Sequence, residues 1–524
     1  IADFVLPDRQ FLSSNERGSQ NRNNIFDSTA PVANERLTNL LNGMLTNASL
    51  QWFSLGTFEG IEDEDPDARA WLDAVRHRIL RYLNQPQYRF YVALGELYQD
   101  LIGFGTGVIF IKQKGEACLF QSVPLADCYI DENDEGAVDT LFREIKYTAR
   151  QAVSAFGDDV PEEVSKAMAE NRPQEKFTFV QCVYPREDRN PDRMDASNKP
   201  WASVILFDGR NADPAIIRQS GFDMFPFLVP RWTKAAGEIY GRSPAMKVLP
   251  DIRLVNAMSR TVLESAQKAA DPALQVPDDG FLQPIRTHPG GLNYYRAGSG
   301  DLIQPLNTGA RPDIGEEMIQ RKQAKIDEAF YQDLFQLPEL DRMTAFEVSQ
   351  RRNDRLQQFS PILSRLYTEM LDPLITHLFS KIAMQGGDSP GLMIPESLGG
   401  RKLKIVYVSP LALSQKSSEG FNIQQYLQYL TPMAQADPGV FNNIDTDEYA
   451  RMGMAIFNVP GRLFRTVEEV EERRQAEQDA ASAQNEASTA LDAARAAGWK
   501  TGLVATSRIV HATPAAFASH REHR

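Results

Sequence analysis

The cluster GFGTG, Gly103–Gly107, is where residue types and spacing first suggest chemistry, since closely spaced glycines let backbone N–H groups approach a phosphate. The spacing argues against that use. Val108 stands where G-x-G-x-x-G needs its third glycine, and a β-branched run follows instead of a helix, so a turn leading into a strand is expected. No G-x-x-x-x-G-K-[ST] occurs, which argues against ATP hydrolysis through a phosphate-binding loop. None of the six histidines falls in H-E-x-x-H. His77 and His377 lie on helical patterns and His288 in a turn, where surface or packing roles are expected. Cys118, Cys128 and Cys182 lack C-x-x-C spacing and read as small apolar residues on or near strands, in keeping with a reducing compartment. No catalytic constellation, metal or cofactor is expected.

The elements that would position any site alternate in texture. ERLTNLLNGMLT places Leu37, Leu40, Leu41, Met44 and Leu45 at helical spacing, and DARAWLDAVRHRILRYL does the same with Trp71, Val75, Ile79 and Leu83. From Gly103 the runs GVIFIK, ACLFQSV, CYIDE and LFREIKYT predict meandering antiparallel strands. A helix-like stretch, Thr148 to Asn171, then precedes FTFVQCVYP and WASVILFD, so residues 1–240 read as one α+β domain. Ser243 and Pro244 predict an N-cap and first turn, with Pro250 restarting or kinking that helix. Ile252, Val255, Ser259, Val262, Ala266 and Ala269 form a narrow seam expected to pack on a neighbouring helix. Residues 271–312 are rich in turn signals and predict a small β-containing insertion. The next helix carries Ile314, Met318, Ile326, Phe330 and Leu334 on one side, with the basic Arg321, Lys322 and Lys325 elsewhere.

After it comes FQLPELDRMTAFEVSQRRND, in which Gln336–Met343 interrupts two helical patterns and Thr344 with Glu347 makes a capping box. The helix that follows is expected to run to about Ala383, with kinks at Pro361 and Pro373. LKIVYVS predicts one more strand, and Thr466 with Glu469 caps a polar helical tail.

The formal net charge of −14 and pI near 5.1 argue against tight nucleic-acid binding, which needs basic surfaces that release counterions. Apolar runs such as FPFLVP are far shorter than the roughly 20 residues of a membrane helix, so no membrane partner is expected. The numbering begins at Ile1 and not at methionine, which leaves open a preceding segment or a removed signal peptide.

Five stretches stand in an order that resembles the portal, or head-to-tail connector, family of short-tailed bacteriophages: FDSTAPVANERLTNLLNGMLT with WFSL, GFGTGVIFI, YGRSPAMKVLPDIRLVN, AQKAADPALQVPDDG and LPELDRMTAFEVSQRR. The resemblance spans roughly residues 20–410. It implies an α+β portal fold: a wing (1–240 and 344–415), two stem helices (241–270 and 313–335), a clip (271–312), a channel loop (336–343) and a helical crown (416–500). It further implies a ring of twelve copies at one capsid vertex of the virion, assembled in the host cytoplasm, through which double-stranded DNA is packaged and ejected. Terminase large subunit, tail or adaptor proteins, and major capsid and scaffolding proteins are the implied partners. Glu339, Leu340, Asp341, Arg342 and Met343 would lie near DNA in the loop, and Arg286, His288, Tyr294, Tyr295 and Arg296 would make clip contacts. Twelve copies at −14 would carry roughly −170, a field that favours weak, sliding contact with DNA.

The last 25 or so residues, KTGLVATSRIVHATPAAFASHREHR from Lys500, resemble a different family, the alkaline phosphatases, whose HATPA positions (here His511 and Thr513) lie at a magnesium site. Nothing upstream matches that family's nucleophile or zinc ligands, so no phosphatase activity is expected. Fusion, a frame or assignment artefact, and chance similarity remain open as its origin. A metal-dependent phosphatase and a non-conducting capsid protein are the competing readings.

Overall fold

The computed structural model describes residues 1–7, 24–59, 65–115, 117–190, 193, 195–209, 215–270, 274–275, 304–305, 312–332, 359–385, 394–407 and 467–497, with isolated residues between 426 and 453. The chain divides into two compact units, Ile1–Ser414 and Gln415–Arg524. The fold is α+β.

The first unit opens with helix α1 (Thr29–Leu45), strand β1 (Phe53–Thr57) and helices α2 (Pro66–Leu83) and α3 (Phe90–Phe104). The periodic apolar residues of the sequence face inward: Leu37, Leu41, Leu45, Val75, Ile79 and Leu83 are buried, each worth about 1.5–3 kcal/mol on removal from water. Asp65 starts α2 by accepting the amides of Asp67 and Ala68 ahead of Pro66, an N-cap with proline in the first turn.

Strands β2 (Val108–Lys114) and β3 (Ala117–Val123) form a hairpin as expected, and continue into β4 (Cys128–Glu132) and β5 (Val138–Thr148). The meander is nevertheless split between two sheets. Helices α4 (Ala149–Phe156) and α5 (Glu162–Ala169) interrupt it, and a capping box between Thr148 and Gln151 fixes the first. Strands β6 (Lys176–Pro185), β7 (Trp201–Asp208) and β8 (Ala215–Phe222) then complete an antiparallel sheet in the order β4-β5-β6-β7-β8. The short β9 (Phe227–Leu228) joins β2 and β3 in the second sheet.

Helix α6 (Pro244–Ala270) is continuous through Pro250, so the expected restart does not occur. Two-residue strands β10 (Leu274–Gln275) and β11 (Gln304–Pro305) pair antiparallel, and helix α7 (Pro312–Ala329) follows. Helix α8 (residues 359–385) is wound as a π-turn at Tyr367–Leu371. That turn lies just ahead of Pro373, whose ring would crowd the carbonyl of Glu369 four residues earlier, so the proline widens the helix. Strand β12 (Leu403–Tyr407) closes the unit by pairing with β1. In the second unit, helix α9 (Val467–Ala496) begins directly after Thr466, where the capping pattern places its start.

One large core joins α1, α2, α3, α6, α7 and α8, while smaller clusters lie between the two sheets and under α4 and α5. Cys118 and Cys128 are buried on strands, and Cys182 is half-buried on β6. His77 is exposed on α2, whereas burial pushes the His377 imidazole down to about 4.

Candidate functional site

Ser243 begins the site because it caps α6 and anchors it at once. Its hydroxyl accepts the amide of Met246 at 2.9 Å and donates to the Gly103 carbonyl at 2.8 Å. The helix runs antiparallel to α7: Asp251 meets Lys322 at 2.7 Å and Lys325 at 3.0 Å, while Val262, further along α6, stands against Gly315 at the start of α7. Ile252 and Val255 are buried, as are Ile319 and Ile326 of α7. The seam expected to pack on a neighbouring helix is therefore covered, in this half, within the chain itself. Met318, expected on the inner side of α7, is exposed instead, and Ile319 takes the inner place.

The FDSTA stretch ties α1 to both helices. Asn256 accepts the Phe26 amide at 2.7 Å and donates to the Asn24 carbonyl at 2.9 Å, and Gln323 donates to Asp27 at 2.6 Å. Of the three basic residues on α7, Lys322 and Lys325 share Asp251, and Arg321 reaches Glu317.

GFGTG is explained by the same joint. Gly105 has φ +84° and ends α3, and a Cβ there would overlap the Gly241 backbone. A Cβ at Gly107 would strike Leu97. Trp232 donates its amide to the Gly105 carbonyl at 2.9 Å, and the Gly241 amide donates to Thr106 Oγ1 at 2.8 Å. The glycines thus permit two backbones to touch, and the YGRSP stretch closes onto them.

Beside this contact lies Arg231, almost fully buried. Its guanidinium donates to Glu132 at 2.6 Å, to Glu369 at 2.8 Å and to the carbonyls of Gly136 and Ile239, and its amide also donates to Glu369 at 2.8 Å. Lys234 supports Glu132 at 2.6 Å, and Arg365 supports Glu369 at 2.8 Å. Glu369 belongs to the π-turn of α8. One arginine therefore fastens the five-stranded sheet, the loop before α6 and α8 together. Sequence reasoning passes over this group. Its signal is an arginine inside the apolar run FLVPRW, and its partners lie far away in the chain.

Next to it, Trp232, Tyr331 and Phe359 pack as one aromatic cluster, with Tyr331 and Phe359 5.2 Å apart between ring centres. Tyr331 has φ +59° just beyond α7, and Phe359 is the first described residue of α8. The stretch between them departs from and returns to one place. The loop residues Glu339–Met343 and the Thr344 capping box fall within it, outside the described residues, as do Arg286, His288, Tyr294, Tyr295, Arg296, His511 and Thr513. A G-x-S-x-G spacing occurs at Gly387–Gly391; it follows a helix, not the strand a nucleophile elbow requires, and it too lies outside the described residues. Among the described residues no cluster of metal-ligating side chains occurs, and no helix is long and apolar enough to cross a membrane.

Lys234 and Arg231 hold the Glu132 carboxyl below the usual carboxylate range, and Lys322 and Lys325 do the same for Asp251. A depressed folded-state pKa stabilises the fold above the ordinary carboxylate value of about 4. That contribution is lost as pH falls through the folded values. The denaturation midpoint is expected to stay level from about pH 8 to 5 and to drop below about pH 4. Glu132→Gln is expected to lower the midpoint at pH 7 and to make its fall in acid shallower, which denaturant titration at each pH measures.

A family model described as "Bacteriophage head to tail connecting protein" matches residues 1–464. The chain belongs to this family. It is 30% identical over 466 residues to the probable portal protein of Bordetella phage BPP-1, covering 86% of this chain and 82% of that protein. It is 29% identical over 521 residues to the portal protein of Salmonella phage epsilon15, covering 96% and 90%. A chain of the solved virion of a native gene transfer agent particle aligns over 82% of this connector at 12% identity, with a TM-score of 0.35. Residues 473–524 match an alkaline phosphatase model, so that likeness begins upstream of Lys500, within α9. It includes 60% identity over 40 residues to alkaline phosphatase 3 of Bacillus subtilis (strain 168), only 9% of that protein.

Proposed function

We propose that the chain is the portal subunit of a phage particle: twelve copies close into a ring around a channel for double-stranded DNA, at the vertex where terminase and then tail proteins attach. In this reading α6 and α7 are the stem, β10 and β11 open the clip, and the remainder of the first unit is the wing. The loop around Glu339–Met343 reaches DNA from the aromatic cluster of Tyr331 and Phe359. The protein acts as a conduit and not as an enzyme.

The observation that carries the reading is the helix pair itself. Asp251 and the close approach at Gly315 lock α6 and α7 into one rigid unit, yet Leu263 and Met318 are left 49% and 48% exposed, and Leu254, nine residues before Leu263 and so on the opposite side of α6, is exposed as well. Repeated head-to-tail contacts, one such apolar flank against another, close into a ring. Leu263→Asp combined with Met318→Asp tests this by sedimentation. The subunit is expected to fold as before, because both sites are at the surface, while rings fall to single subunits. Rings of unchanged yield would remove Leu263 and Met318 from the interface. Val255→Asp, by contrast, is expected to unfold the subunit, since that side chain is buried within it.

The phosphatase-like segment favours no second reading. Phosphate-ester hydrolysis of that kind needs metal ions and a nucleophile in one cavity, and a match to 9% of such a protein does not provide them.

A further inference from the structure

The five-stranded sheet has one covered face and one open face. Leu141, Phe179, Val183 and Phe207 point inward against the second sheet and α4–α5. On the other face the strand register aligns Tyr129, Phe142, Cys182 and Val204 in one row, with Val180, Leu206 and Ile216 in the next. Tyr129 is 65% and Ile216 58% exposed, and Phe142 and Tyr184 are also exposed. An antiparallel sheet with one solvated face ordinarily alternates apolar and polar residues, and here outward-facing apolar residues occur on all five strands. The patch is flanked by Asp131, Glu144 and Asp208 together with Lys146 and Lys176. An apolar centre with a rim of mixed charge is the anatomy of a protein interface, and it lacks the positive excess that phosphate backbones need.

We infer that this open sheet face is an interface, and that its occupant is the adjacent copy of the same chain. The inference rests on the ring reading above. Five strands about 4.8 Å apart and roughly eight residues long present about 600 Å². A freely diffusing partner ordinarily needs about 800 Å² per side to form a specific complex. The face is therefore suited to an occupant already held by another contact, as the next subunit is held through α6 and α7. Since ring contacts are head-to-tail, a different patch of that neighbour meets the sheet.

Cys182 sits in the middle of the face and reports on it directly. The experiment compares maleimide labelling of Cys182, resolved by peptide mass spectrometry, in isolated rings of the purified chain and in single subunits of the Leu263→Asp, Met318→Asp variant. Labelling at least tenfold slower in the rings is expected. A second pair of changes, Tyr129→Asp with Ile216→Asp, is expected to lower ring yield at least tenfold while leaving the unfolding midpoint of the subunit unchanged. Equal labelling in rings and subunits would overturn the assignment while leaving the ring intact. Protection that appears only in whole particles would give the face to the capsid shell and overturn it as well. An unaltered chain that formed no rings would instead overturn the assembly reading, and this assignment with it.

Discussion

Replacing Arg231 by methionine is expected to destabilise the first unit by about 3–5 kcal/mol, read as a fall in the denaturant midpoint. The side chain is 2% exposed and donates to two carboxylates and two carbonyls. Methionine fills similar space but leaves Glu369 and Glu132 facing a site without their shared cation. Lys234 still serves Glu132 and Arg365 still serves Glu369, so the cost falls on what those two cannot reach. Arg231→Met combined with Glu369→Met removes the stranded charge together with its partner. It is expected to recover most of the loss, because a buried ion pair adds little over well-packed apolar groups. A single variant as stable as the unaltered chain would show that the arginine is not the fastening between sheet and α8.

Gly105→Ala is expected to have an effect of similar size, for a different reason. At φ +84° an alanine costs about 1–2 kcal/mol from backbone conformation alone. Its Cβ would also overlap the Gly241 carbonyl, which belongs to a backbone that cannot swing aside as a side chain can. The loop leading to Ser243 must move, and the cap of α6 moves with it. Gly115→Ala is the control: it has φ +60° with open space around it, and should show the backbone term alone. Denaturation of both variants separates the two contributions, and ring yield should fall only for Gly105→Ala. Equal losses in the two would show that the contact with Gly241 is not a constraint.

What could be read from the sequence was local. Ser243 and Pro244 announce a helix start because capping depends on residues three apart, and α6 begins there. Thr466 gives the start of α9 by the same logic. Periodicity showed that Ile252 and Val255 must be covered, but a period carries no information about what covers them. The cover proved to lie within the same chain, and the large apolar residues left exposed on the helix pair are Leu254, Leu263 and Met318. The Arg231 group was illegible because Glu132, Glu369 and Arg231 are brought together only by the completed fold. The pairing of β1 with β12 was hidden for the same reason: short strands far apart in the chain do not specify each other. The glycine cluster illustrates the converse. Its spacing argued against a phosphate loop, and only the fold shows that Gly105 serves the approach of a second backbone.

Electron microscopy of the purified, unaltered chain tests the assembly reading most directly. Closed rings of twelve subunits with an open centre are the expected image. Single subunits at micromolar concentration, folded and monodisperse, would contradict it.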